Sequence, residues 1–114
     1  MQVTGINGRS GIIFGIVDSG ADTSAFPFGY ASLMGYTAQT LTPETYQQVG
    51  GTGTAFRALT ASQAVVPEIP TVTVPILPLL VQGAQTALWG RMDFMTYFDV
   101  AIYEAEQRFT ITPR

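Results

Sequence analysis

Asp18 stands at the end of the apolar run Gly11-Ile12-Ile13-Phe14-Gly15-Ile16-Val17 and is followed by Ser19, Gly20, Ala21 and Asp22. A carboxylate delivered at a strand end into a short polar loop, where surrounding backbone can hold it, is well set up for acid/base work. Hydrolysing a peptide bond without a metal or a covalent nucleophile requires a water made nucleophilic by one carboxylate. It also requires an acid that protonates the carbonyl oxygen or the leaving nitrogen. Two carboxyl groups about 3 Å apart do both, because like charges that close share one proton and titrate as a pair. The chain of 114 residues has no histidine, cysteine or lysine. Histidine-dependent triads, cysteine nucleophiles, zinc sites built from His or Cys, Schiff-base lysines and the lysine of a phosphate-binding loop therefore lack their central residue. Carboxylates are left as the acid/base groups near neutral pH, and no metal or cofactor is expected.

The loop must be positioned by a domain, and the composition describes one. At this length a single domain spanning 1–114 can bury most of its unfolded surface. Apolar residues make up 46% and charged residues only 11%, which leaves more apolar surface than a small sphere hides and favours self-association. Eight carboxylates and five arginines give a net charge of −3. The arginines form no cluster, so no nucleic-acid partner is expected. Met1 to Gly5 show no charged leader ahead of an apolar run, and the longest apolar stretch, Val72 to Val81, is interrupted by Pro75 and Pro78. Neither a secretory signal nor membrane contact is expected from these segments. Without cysteine there is no redox clue to a compartment.

Short β-branched and aromatic runs separated by Gly, Pro and Thr indicate an all-β fold. Gly11 to Val17 reads as one buried strand leading into the Asp18 loop. Ala25 to Met34 is mixed and can hold a short turn or helix before the Thr-rich segment from Tyr36 to Thr45. Tyr46 to Val49 and Ala55 to Leu59 read as strands flanking the glycine-rich tip Gly50-Gly51-Thr52-Gly53-Thr54, which can bring its backbone close to a ligand. The prolines between Ala64 and Val81 fit edge or bulged strands. The spacing of Phe94, Met95 and Phe98 predicts a helix over Arg91 to Phe98. Asp99 to Tyr103, a turn at Glu104 to Gln107, and Arg108 to Thr112 predict a closing hairpin. Trp89, Phe94 and Phe98 are expected in the core, with Asp93 a helix-turn residue and Asp99 a strand start.

Val17-Asp18-Ser19-Gly20-Ala21-Asp22-Thr23 resembles the active-site loop of the retropepsins, the aspartic peptidases of retroviruses and their cellular relatives. Leu88-Trp89-Gly90-Arg91 resembles their second signature, and Val49-Gly50-Gly51-Thr52-Gly53 is similar to their flap, in the same order along the chain. The resemblance implies a retropepsin-like closed β-barrel with one short C-terminal helix, forming one lobe of a pepsin-like dimer. With a single Asp-Ser-Gly per chain, it also implies a symmetric homodimer that hydrolyses a peptide or protein substrate as an aspartic endopeptidase. Asp18 is then catalytic, and Ser19, Gly20 and Ala21 support its loop. Gly20, Asp22, Gly50, Gly51, Thr52 and Gly53 bind the substrate backbone. Asp22, Leu88, Trp89, Gly90 and Arg91 are structural near the interface, with Arg91 paired to Asp22. Ser19 stands where threonine is commoner in the family, and Thr52 and Thr54 depart from the usual flap.

Each motif also has a plainer reading. Asp18-Ser19-Gly20 alone is an ordinary turn in which Asp and Ser bond the backbone, and Gly50 to Gly53 alone is an ordinary hairpin loop. The alternatives to a peptidase are a non-catalytic peptide-binding or assembly module of the same fold, and a monomeric β-barrel scaffold in which Asp18 merely caps a turn.

Overall fold

The computed structural model describes residues 1–48 and 51–114, with the backbone alone described for 46–48, 51 and 52. Twelve strands and two short helices follow one another: β1 (Gln2–Thr4), β2 (Ser10–Ile12), β3 (Gly15–Val17), β4 (Ala25–Pro27), α1 (Tyr30–Leu33), β5 (Leu41–Gln48), β6 (Gly51–Ala58), β7 (Ser62–Val66), β8 (Ile69–Ile76), β9 (Leu79–Val81), β10 (Ala87–Trp89), α2 (Phe94–Tyr97), β11 (Phe98–Tyr103) and β12 (Arg108–Pro113). A single 3₁₀ turn, Glu104–Glu106, joins the last two strands. Among the described residues no helix is long and apolar enough to cross a membrane.

The strands form a four-stranded sheet, β2-β1-β7-β8, a six-stranded sheet, β3-β10-β4-β9-β6-β5, and the separate hairpin β11-β12. The chain is mostly β, with short helices as well, and the expected closed barrel is not formed. Among the described residues both larger sheets are open: β3 and β5 end one, β2 and β8 end the other, and these edges do not pair. Two of the edges carry prolines, Pro43 in β5 and Pro70 and Pro75 in β8. A proline has no N–H to offer a further strand, so closure there would leave gaps in the ladder. There are also two short helices, α1 and α2, rather than a single C-terminal one.

The run Gly11 to Val17 is not one buried strand. Its first part pairs with β1 and its last part, as β3, runs parallel to β10. The chain changes sheets at Ile13 and Phe14: Ile13 is buried, whereas Phe14 is 85% exposed and Ile16 is 57% exposed. The expected helix over Arg91 to Phe98 shrinks to Phe94–Tyr97, and Phe98 opens β11 instead.

The main core gathers under the Asp18 loop as a run of aromatic contacts. Phe26 meets Trp89 edge-on at 5.1 Å, Trp89 meets Phe94 at 6.2 Å, and Phe94 meets Phe98 at 5.0 Å. Geometry of this kind adds to plain area burial. All four rings are 3% exposed or less, so the expected core assignment of Trp89, Phe94 and Phe98 stands.

At the far side Tyr36 is 5% exposed; its hydroxyl donates to the Thr60 carbonyl at 2.9 Å and lies 2.6 Å from Ser62 Oγ. Burial raises the phenol pKa above its ordinary 10.0, partly offset by the Ser62 hydrogen bond. A raised folded value means that this group's contribution is complete below pH 10 and is lost as pH climbs through the folded value. Tyr36→Phe should therefore flatten the alkaline loss of stability while lowering neutral stability by about 1–2 kcal/mol, because Ser62 Oγ loses its partner. Urea midpoints at pH 7 and pH 11 check this, and parallel pH curves for the two proteins would refute it.

Candidate active site

β3 runs parallel to β10, with Leu88 beside Ile16 and Trp89 beside Val17, while β4 lies on the other side of β10 with Ala25 beside Leu88. The segment Asp18 to Ser24 must therefore pass over the end of β10 to get from one neighbour to the other. The close approach explains Gly90. A β-carbon there would overlap the Thr23 carbonyl and the Ser24 amide, so only glycine lets the loop lie down on the strand end.

The loop is tied along its length. The Asp18 amide donates to the Trp89 carbonyl at 3.0 Å. The Asp18 carboxylate accepts the Gly20 N–H at 2.8 Å, and its carbonyl accepts the Ala21 N–H at 3.2 Å. This is the aspartate-capped turn of the plainer reading, and it also fixes the direction of the carboxylate. Beyond it, the Arg91 amide donates to Ala21 O at 2.9 Å and the Met92 amide to Asp22 O at 2.7 Å. Arg91 Nη2 lies 3.1 Å from Asp22 Oδ1, as the resemblance implies. Both side chains are well exposed, 61% and 77%, so this pair contributes only about 0–1 kcal/mol. The backbone bonds and the steric fit hold the loop.

Most of the anchoring comes from two residues that sequence reasoning did not place in the site. Ser24 is 0% exposed. Its amide donates to Asp93 Oδ2 at 3.0 Å and its hydroxyl to Asp93 Oδ1 at 2.8 Å, while the same hydroxyl accepts the Gly90 N–H at 3.1 Å. Asp93 Oδ1 also accepts the Phe94 N–H at 2.7 Å at the start of α2. One carboxylate thus joins the exit of the loop, the Gly90 turn and the helix. The available signal was an aspartate just ahead of an apolar helical segment, a helix-start pattern. It was obscured because the helix was expected to begin at Arg91.

Asp18, Ser19, Gly20, Ala21, Asp22, Leu88, Trp89, Gly90 and Arg91 are therefore brought together. The glycine-rich tip is described only by its strand pairing. Gly51, Thr52 and Gly53 stand in β6 opposite Gln48, Gln47 and Tyr46, and β6 is separated from β3 by β9, β4 and β10. Val49 and Gly50, the centre of the expected flap, lie outside the described residues. Among the described residues no cluster of three or more His, Cys, Asp or Glu side chains has the makings of a metal site.

The anchoring role of Asp93 is measurable. Asp93→Ala removes a helix cap and strands the buried Ser24 amide and hydroxyl, which should lower stability by about 3 kcal/mol. Asp93→Asn keeps one acceptor and should recover part of that. Urea unfolding separates the cases, and a loss below about 0.5 kcal/mol in the alanine variant, the range of ordinary surface changes, would contradict the clamp. No protein-family model matches this chain, and no curated protein or solved structure matches it.

Proposed function

We propose that the chain is an aspartic endopeptidase of the retropepsin kind that works as a symmetric homodimer, with Asp18 from each copy forming the catalytic pair. The observation that carries the reading is the convergence of the two motifs. The Asp18-Ser19-Gly20 loop lies across Leu88-Trp89-Gly90-Arg91, and residues 69 apart in sequence, Asp22 and Arg91, meet there. An anchored, half-buried carboxylate at a strand end is what a positioned acid/base group needs.

The surface around the loop supports the second half of the reading. Ile12, Phe14, Ile16, Ile102, Tyr103 and Phe109 are all between 44% and 85% exposed. Val17 and the closing hairpin's Val100, Ile102, Tyr103 and Phe109, with Glu104, Gln107 and Arg108 beside them, line a concavity of about 320 Å³ that begins one residue before Asp18. Apolar side chains of this size left in water beside an incomplete catalytic group suit burial against a second copy. Ser19 is exposed, so its hydroxyl can reach a partner copy across the two-fold axis.

In this mechanism the paired carboxyls hold one proton and one water. The ionised member takes a proton from the water as its oxygen attacks the scissile carbonyl carbon, and the protonated member gives its proton to the carbonyl oxygen. Collapse of the tetrahedral diol then passes a proton to the leaving nitrogen and regenerates the pair, with no acyl-enzyme. Gly20 and Asp22 contact the substrate backbone, and the β5–β6 hairpin covers it.

Asp18→Asn should abolish cleavage of a mixed peptide library, by at least about 10³-fold, while sedimentation still reports the dimer. A statine-type mimic should block the wild type. Residual turnover in Asp18→Asn, or a wild type that stays monomeric at high concentration, would falsify the peptidase reading. Peptide binding without turnover across pH would favour the non-catalytic peptide-binding module.

A further inference from the structure

The β5–β6 hairpin and the Asp18 loop belong to different parts of the sheet, yet one side chain joins them. Arg57, in β6, is level with Leu79 of β9, which is itself level with Ala25 at the start of β4, where the catalytic loop re-enters the sheet. Its guanidinium spans three segments. Nη1 donates to Thr23 Oγ1 at 2.8 Å and to the Leu77 carbonyl at 3.1 Å, while Nε and Nη2 reach Glu44 Oε2 and Oε1 at 3.0 and 3.4 Å. Glu44 is a diagonal neighbour across the hairpin, since it faces Ala55 and Arg57 lies two residues on. Among the described residues, no other side chain is hydrogen-bonded to both the hairpin and the loop.

We propose that Arg57 is a positioning residue for substrate. Through Thr23 it sets the tilt of the hairpin against the loop that carries Asp18 and Asp22, and so the width of the space in which an extended peptide is held. This inference rests on the peptidase reading. The planar fork is what makes the residue suitable, because a guanidinium can hold a carboxylate on one edge and a hydroxyl and a carbonyl on the other, whereas an ammonium cannot keep both in fixed directions. Arg57 touches neither Asp18 nor the Trp89 and Gly20 groups that orient it. Its loss should weaken the grip on the peptide in ground state and transition state alike, which raises KM and leaves kcat nearly constant.

The closing experiment uses Thr23→Val, which removes the acceptor while leaving the Arg57–Glu44 pair, together with Arg57→Gln and the double variant. Each single change is expected to raise KM about tenfold with kcat within about twofold, and the double variant should be no worse than Arg57→Gln alone. Unchanged KM in Thr23→Val, a fall in kcat instead, or additive effects would overturn the proposal. Amide exchange on the uncomplexed protein gives a reading independent of turnover. Thr23→Val should speed exchange in Ala55–Ala58 as well as in Asp18–Ser24, whereas a change confined to the loop would overturn the tie. Should the wild type prove unable to cleave peptides, the peptidase reading fails on that result alone, and the exchange data still decide whether Arg57 couples hairpin and loop.

Discussion

Ser24 is sealed from solvent, and its amide and hydroxyl both turn to the Asp93 carboxylate. Removing polar groups from water is tolerable only when every donor finds an acceptor, so this one contact dictates much of what surrounds it. The loop must end where Asp93 is, β10 must stop at a residue with no side chain, and α2 must begin under the loop. The aromatic run from Phe26 through Trp89 to Phe94 and Phe98 fills the space beneath. Asp18 sits at the other end of the same loop, so its placement depends on an interaction six residues away that involves none of its own atoms.

The Asp18 loop and the β5–β6 hairpin are held in different ways. The Asp18 end is held by backbone bonds to β10 and by exclusion of anything larger than hydrogen at Gly90. The hairpin joins the sheet through β9 over Ala55 to Arg57, and beyond that its two strands pair chiefly with each other. Side-chain bonding at its base is concentrated in Arg57, whose partners come from β5, the loop and the segment before β9. In the proposed peptidase, a carboxylate mount tied to β10 beside a hairpin whose base is held by Arg57 would suit the grip on an extended peptide.

Elements governed by local rules were readable in the sequence. The closing hairpin follows from alternation around Glu104 to Gln107, and Gln107 adopts the left-handed conformation that the tight return requires. The proline-rich stretch after Ala64 was expected to make edge or bulged strands. β8 is an edge strand, and the β7–β8 pairing has an irregularity at Val65/Val66. The two motifs around Asp18 and Gly90 were visible because turn chemistry and close backbone contact leave few residue choices. What depended on distant partners was hidden. Gly11 to Val17 looks uniformly apolar, and nothing local marks the change of sheet at Phe14. The Ser24–Asp93 and Thr23–Arg57 contacts join residues 69 and 34 apart, and the one local signal among the four, Asp93 ahead of an apolar helical segment, marks a helix start and not its distant partner. Barrel closure was expected from the resemblance, but it depends on which edges meet, and edge prolines oppose it.

The β11–β12 hairpin carries a consequence for folding. Twelve paired residues, six in each strand, are almost all exposed on one protomer; only Phe98 at its root is fully buried, with Val100 and Ile111 half-covered. A two-stranded ribbon with so little core is marginal in isolation. It should form its own low-stability cooperative unit, opening and reclosing while the sheets behind it stay intact. In the proposed dimer, a partner resting on that ribbon would supply the missing burial. Ordering of the chain's last segment would then follow protomer concentration by mass action, so catalytic competence and completion of the fold would arrive together as molecules meet.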